Sequence, residues 1–479
     1  TGFQRISGRA NVDAEIKSWL KSGLNVSVSG SKFNGIMGSG NSTDNYFYQS
    51  LLTGSIYPLY LKDEKGNDIL DELGNKKLDW GEGRPAASNN SPLGILLEDA
   101  NYQSNMMESA RGYITIGSDD DSAGILKGLK FTVNVGVNNR DMYQTHYNNM
   151  HNGPYAEANG RIIKYFSRRL SYTVNELLTW NRTFGEHNFD ILAGHEAYEQ
   201  TYQYLEATKS NLFEGIMEIR PATTNADCDS YSNDYAIESW LSRFNYSYAD
   251  KYYFSTSFRR DGSSRFKAEN RWGNFWSVGA NWRISKESFM RDLTWLNNLN
   301  IKASYGVQGN DDLDTYYAWQ SFYSLAWPMN NKQGAMVSSL ENPEVTWEKN
   351  ANFNVGFDAK MLGGRLDVSF EWYNRKTTDM LLNYPMALST GFDGFNANVG
   401  SMVNKGVEFN VGGILVDSKN FMWKANFMGS SIKNRILSLT TENPSYISGQ
   451  QIYEEGWGEE YIIADNNIMV CISKLRAKL

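Results

Sequence analysis

Residues 5–16 read Arg5-Ile6-Ser7-Gly8-Arg9-Ala10-Asn11-Val12-Asp13-Ala14-Glu15-Ile16. In steps of two they divide into an apolar or small row (Ile6, Gly8, Ala10, Val12, Ala14, Ile16) and a polar row (Arg5, Ser7, Arg9, Asn11, Asp13, Glu15). A side-chain period of two shows one row to each face, so this is a strand with one apolar and one polar side. After residues 17–23 the row Leu24, Val26, Val28 resumes against Asn25, Ser27, Ser29, which reads as the returning arm of a hairpin.

The pattern recurs outward along the chain. Leu129, Phe131, Val133, Val135 and Val137 form one row, and Phe244, Tyr246 and Tyr248 turn through 249–251 into Tyr252, Phe254 and Phe258. Trp276 to Ile284, Leu299 to Val307, Phe353 to Phe357, Leu366 to Trp372, Val407 to Val411 and Phe421 to Phe427 alternate in the same way. About fourteen such strands follow, most near or above the 9–11 residues that a tilted strand needs to cross a bilayer. Strands of a soluble sandwich run to about five or six residues.

Short and long connections alternate. The short ones fall near 17–23, 185–186, 249–251, 360–364 and 417–420, and the long ones near 34–108, 140–164, 201–235, 309–346 and 376–398. All long connections therefore leave the same end of the sheet, as in outer-membrane barrels with short periplasmic turns and long extracellular loops. Tyr246, Tyr248, Tyr252, Tyr253, Trp372, Tyr373, Phe421 and Trp423 gather near strand ends, where rings with a polar tip favour the membrane–water boundary.

Composition excludes other classes. The chain has 479 residues, 14% of them aromatic, and a net charge of -8, so no overall positive field exists to hold a nucleic-acid backbone. Two cysteines, Cys228 and Cys471, are too few for a disulfide scaffold, and no stretch approaches the roughly 18 apolar residues of a membrane helix. The start at Thr1 carries no signal core, which suggests a processed beginning or an internal fragment.

Candidate chemistry is sparse. His195-Glu196-Ala197-Tyr198-Glu199 stops one residue short of HExxH. That motif needs residues four apart to meet on a helix, whereas on a strand they stand about 13 Å apart. Asp119-Asp120-Asp121 and Asn310-Asp311-Asp312 read as solvated turns rather than calcium loops. Neither a phosphate-binding loop nor a nucleophile elbow occurs. No catalytic residue, cofactor or metal is expected, and the chain does not read as an enzyme.

Ile237-Glu238-Ser239-Trp240-Leu241-Ser242-Arg243-Phe244, continued by Phe258-Arg259-Arg260-Asp261-Gly262-Ser263-Ser264-Arg265-Phe266 and Asn270-Arg271-Trp272-Gly273-Asn274-Phe275, resembles the SusC/RagA family of TonB-dependent outer-membrane importers. Glu341-Asn342-Pro343, Thr346-Trp347-Glu348-Lys349 and Glu371-Trp372-Tyr373-Asn374-Arg375-Lys376 extend the similarity. The resemblance implies an all-β, transmembrane antiparallel barrel of roughly 22 strands with an N-terminal plug. It also implies a SusD-like surface lipoprotein as lid, TonB pulling on the plug, and glycans or peptides as cargo. Of that plan, residues 1–464 would supply an incomplete barrel of about fourteen strands, without the plug. Residues 465–479 match nothing in the family and suggest a truncation or frameshift.

Two functional readings follow. The first is the barrel region of an importer embedded in outer-membrane lipid, working with the lid and, through a plug this chain does not contain, with TonB. The second is a passive β-rich surface module that binds glycans. Substrate-contact candidates in the first long loop are Tyr46, Tyr48, Tyr57, Tyr60 and Trp80, whose rings could stack on sugars. Arg259, Arg260, Asp261 and Arg265 lie where a strand enters an outer loop and read as a charge network bracing it.

Overall fold

The structure, a computed structural model, describes residues 2–35, 45–85, 88–118, 126–325, 327, 329–330, 332–386 and 388–439. Fourteen strands form one antiparallel sheet. They are β1 (Gly2–Lys17), β2 (Leu20–Asn34), β3 (Ala100–Gly117), β4 (Leu129–Asn148), β5 (Arg161–Phe184), β6 (His187–Ser210), β7 (Thr224–Tyr248), β8 (Tyr252–Ser263), β9 (Trp272–Arg283), β10 (Leu296–Asn310), β13 (Glu348–Met361), β14 (Leu366–Thr378), β17 (Ser401–Ser418) and β18 (Phe421–Ser438), neighbours in that order. Two hairpins, β11 (Phe322–Ser324) with β12 (Met336–Ser339) and β15 (Leu381–Pro385) with β16 (Gly394–Asn398), lie in the connections. Contacts divide the chain into one unit of residues 1–179 and 194–238 and a second of 180–193 and 239–479.

In the second unit the register aligns the apolar rows. Phe254, Ala280, Ala303, Val355, Trp372 and Val407 stand opposite one another in turn across six strands. The flanking rows add Tyr252, Trp282 and Ile301 on one side and Thr256, Val278 and Tyr305 on the other. Of these rings Tyr252, Phe254, Trp282 and Tyr305 are 37–44% exposed, as a face needs to be if hydrocarbon covers it. The opposite face carries Lys302, Gly356, Glu371, Glu408 and Ser430, also in register. A one-residue slip would exchange the two faces, so burial in lipid fixes the pairing. In the first unit Val26, Ala110 and Val137 are opposed in the same way.

The strands run further than the alternation indicates, which corrects the expected loops. β3 begins at Ala100, inside the expected loop 34–108, and β4 and β5 leave only 149–160 of the expected 140–164. β6 and β7 leave 211–223 of 201–235, while 311–347 and 379–400 replace 309–346 and 376–398 with small hairpins inside them. β5, β6 and β7 span 24, 24 and 25 residues, about twice what a bilayer crossing requires. Where a strand continues beyond the hydrocarbon both faces meet water, so alternation lapses while backbone pairing persists. The tail 465–479 and the run Asp119-Asp120-Asp121 lie outside the described residues.

Candidate functional site

The first long connection, 45–99, is a folded layer. Asn45 caps helix α1 (Tyr46–Leu52) through Oδ1, which accepts from Phe47 N at 3.0 Å, and Ser91 caps α2 (Pro92–Glu98). Between them the sequence repeats with a period of eight. Asp63-Glu64-Lys65-Gly66-Asn67 and Asp71-Glu72-Leu73-Gly74-Asn75 make the same turn, each aspartate accepting from the amides two and four residues on at 2.9 and 2.8 Å. Those amides hold the carboxyls of Asp63 and Asp71 below the usual range. Leu61 N donates to Lys77 O, Lys77 N to Ile69 O and Ile69 N to Leu61 O, so the three segments pair in a ring.

The candidate aromatics sit in this layer without converging. Tyr46 packs on Phe47 at 4.3 Å, Tyr57 lies under the Arg84 guanidinium at 4.4 Å, and Tyr60 lies under the Lys76 ammonium at 5.3 Å. Tyr48 is half-buried on α1. Trp80 is only 8% exposed and fills the space over Gly94, where a Cβ would overlap its ring. Its burial removes Trp80 from the set that can offer a face to a sugar. Arg84, itself held by Asp79 at 2.5 Å, occupies the Tyr57 face.

The layer is tied down at Asp99, whose carboxylate accepts from Asn149 N (2.9 Å), Asn149 Nδ2 (2.8 Å) and Asn148 Nδ2 (3.1 Å). Burial pushes its pKa up, against the pull of those donors. Deeper on the same unit, His195 Nδ1 meets Glu176 at 3.0 Å and its Nε2 meets Glu238 at 3.5 Å. These are cross-strand pairs on β5, β6 and β7, and Glu199 has no part in them. Among the described residues no cluster of three or more such groups has metal-binding geometry.

In the second unit the expected charge network resolves into two. Arg259 Nε donates to Asp261 Oδ1 at 2.6 Å and its Nη2 to Ser239 Oγ at 2.8 Å, which joins β8 to β7. Arg265 donates to Asp311 O at 3.0 Å and to the Asp312 carboxylate, and lies over Tyr316. This contact lowers the Asp312 pKa. Ser263 Oγ donates to Asp311 Oδ2 at 2.6 Å, and Arg260 stands over Trp272 at 5.3 Å.

Three connections at one end of this unit's strands, 264–271, 311–347 and 379–400, interlock around a core of Phe266, Phe275, Leu313, Ala318, Val345 and Trp347. Trp347 Nε1 donates to Arg271 O (2.7 Å), Thr346 Oγ1 to Asn270 O (2.8 Å) and Asn270 Nδ2 to Pro343 O (3.0 Å). Asn398 donates to Thr346 O and Asp379 O and accepts from Thr346 N, at 2.7, 2.9 and 2.7 Å.

A cleft of about 280 Å³ opens between the second and third of these connections, lined by Thr315, Tyr317, Gln320, Phe322, Ser338, Asn383 and Phe395 among others. Its polar groups are hydroxyls and amides, and Asp393 is its one charged lining residue. Tyr317 and Phe322 pack at 6.0 Å, as do Tyr384 and Phe395 at 5.6 Å. The signal for it in the sequence is aromatics interleaved with Asn, Gln and Ser in two long connections, but only the hairpins bring them together.

Residues 37–456 match the family model described as TonB dependent receptor-like, beta-barrel. The chain belongs to that family. It is 27% identical over 470 residues to TonB-dependent receptor P39 of Formosa agariphila, covering 95% of this chain and 41% of the relative. It is 28% identical over 293 residues to TonB-dependent receptor SusC of Bacteroides thetaiotaomicron, covering 59% and 28% respectively. The solved RagAB peptide transporter superposes with a TM-score of 0.78 at 25% identity, over 92% of this chain and 47% of that chain. The TonB-dependent receptor barrel described here is thus of the SusC/RagA type, an outer-membrane and non-enzymatic family, and the chain spans less than half the length of these relatives.

Proposed function

We propose that the complete protein imports an oligosaccharide across the outer membrane, energised by TonB through a plug and covered at the surface by a SusD-like lipoprotein. The carrying observation is the cleft between residues 311–347 and 379–400, where aromatic faces and amide and hydroxyl groups converge, with Asp393 as the one charged lining residue and no cation. Ring faces and uncharged hydrogen-bonding groups complement a hydroxylated, uncharged ligand. A peptide is the second reading, favoured by the likeness to RagAB. The interlocked connections around Phe266 and Trp347 hold the cleft at a fixed place on the rim, which suits repeated capture under a lid.

The test is uptake by cells carrying the complete gene. Labelled neutral oligosaccharides should enter only while TonB is present, and Phe395→Ala with Tyr317→Ala should reduce capture. Entry of peptides with exclusion of oligosaccharides would replace the glycan reading by the peptide one. Binding that persists without any TonB-dependent entry would return the protein to passive adhesion.

A further inference from the structure

The connection between β9 and β10, residues 284–295, departs from the turns at 249–251, 362–365 and 419–420, which lie at the same end of this unit's strands. Those turns are minimal, whereas this connection inserts two 3₁₀ turns, Ile284–Lys286 and Ser288–Met290. It also exposes large apolar side chains, with Phe289 at 66%, Trp295 at 49% and Leu293 at 37%.

We propose that residues 284–295 form a membrane anchor, lying against the phospholipid headgroups of the leaflet at the short-turn end with Phe289 and Trp295 in the headgroup–acyl boundary. The side on which the segment lies is fixed by Glu287. Its Oε1 accepts from Tyr252 Oη at 2.6 Å and from Trp282 Nε1 at 3.2 Å, and its Oε2 holds Lys251 at 3.1 Å. Tyr252 and Trp282 are directly opposed on β8 and β9 and stack at 6.4 Å in the outward apolar row. The connection therefore folds back over the polar tips of lipid-facing rings, next to the surface that the family places in the membrane.

The apolar patch extends to the neighbouring turn. Trp295 O accepts from Leu362 N at 2.7 Å, and Leu362, on the neighbouring turn, is 56% exposed. Water would be a poor medium for such a patch, since each exposed ring forgoes on the order of 25 cal/mol per Å² of apolar burial. The charges fit headgroups as well. Arg283 and Lys286 are taken by Asp250 and Lys251 by Glu287, while Arg291 and its neighbour Asp292 are exposed and, among the described residues, make no ion pair. Arg291 is the cation left to meet a lipid phosphate, in the arrangement of interfacial segments that pair aromatic insertion with basic residues.

The experiment uses the complete transporter, with Cys228 and Cys471 replaced by Ser, in vesicles of phosphatidylethanolamine and phosphatidylglycerol. A polarity-sensitive fluorophore is attached at Phe289→Cys and, separately, at Lys419→Cys on an exposed minimal turn. The Phe289 label should emit to the blue, be quenched by brominated lipid, and be about three-fold less accessible to aqueous iodide than the Lys419 label. Equal iodide access at both positions, with no lipid quenching at Phe289, would overturn the anchor. Both positions are exposed, so the substitutions leave the sheet pairing intact, and heat-shifted electrophoretic mobility verifies that each labelled protein is folded. This test is independent of which substrate is carried.

Discussion

Asn398→Ala isolates the polar part of the outer-loop brace. Asn398 closes β16 and makes three hydrogen bonds, two with the Thr346 backbone and one with the Asp379 carbonyl. Thr346 in turn bonds Asn270 O through its hydroxyl, so one side chain couples all three connections. At about 1 kcal/mol net for each hydrogen bond, alanine removes about 3 kcal/mol, or roughly a hundred-fold in the local opening equilibrium. Hydrogen exchange on the complete protein in detergent reads this directly, because loop opening occurs without dissolving the sheet. Amides of 379–400 should exchange roughly a hundred-fold faster, while those of β13 and β14 hold. A change below about three-fold would mean that the apolar core alone holds the connections and that the asparagine is dispensable. Phe266→Ala, at a fully buried ring 5.5 Å from Trp347, calibrates that core and should cost about 3–5 kcal/mol.

Arg265→Gln should loosen 311–347 by about 2 kcal/mol, seen as faster proteolysis there, since it removes a cation that is 13% exposed from Asp311 and Asp312. Gly94→Ala should displace the Trp80 ring at a cost of about 1–3 kcal/mol, detected as a red shift of tryptophan emission and faster exchange in α2. The pKa of Asp99 is raised by burial, so its folded form favours the proton; the closed state that buries Asp99 should be most stable below pH 3.8 and lose stability as pH rises through the folded pKa, measured by exchange in 148–152. Asp250 is instead pulled down to about 2, first by Lys286 and then by Tyr253, so its contribution is complete above pH 3.8 and lost only near pH 2; exchange at the 249–251 turn should be unchanged between pH 8 and pH 4 after correction for intrinsic rates. Lys302→Met should lower the unfolding temperature by separating Asp358 and Glu371 from their shared lysine, both at 3.3 Å, and Glu408→Gln in the same chain should restore part of the loss because Glu408 directly opposes Glu371. These side chains are well exposed, so the effect is about 1 kcal/mol.

The part of the fold that meets hydrocarbon was legible, because lipid on one side imposes a strict period of two. The part above it was not. In β7 the run Thr224-Asn225-Ala226-Asp227-Cys228-Asp229-Ser230-Tyr231 is extended and exposed, with polar residues on both faces and nothing for a periodicity argument to grip. The eight-residue repeat of 61–76 was hidden for a different reason. Its order comes from aspartates capping their own turns, a local chemistry with no hydrophobic signature. The charge network was half legible. Arg259 with Asp261, and Arg265, stand together in the sequence, but Ser239 arrives from β7 and Asp311 and Asp312 from the connection 311–347.

That division bears on where recognition can reside. The segments that carry the family resemblance turn toward one another in the structure. Phe266 and Phe275 pack on Trp347, Asn270 bonds Pro343, Arg259 holds Asp261, and Thr346 reaches Asn270. Their side chains are consumed in bracing, and bracing is the same task whatever cargo passes. The cleft is built by other residues, among them Tyr317, Gln320, Phe322, Ser338, Asn383 and Phe395, none of which falls in those segments. Under the proposed import function, substitution in the two hairpin-bearing connections would change cargo without disturbing the brace. On that reading the chemistry of the cleft, rather than the motifs that reveal the family, is the place to look for selectivity.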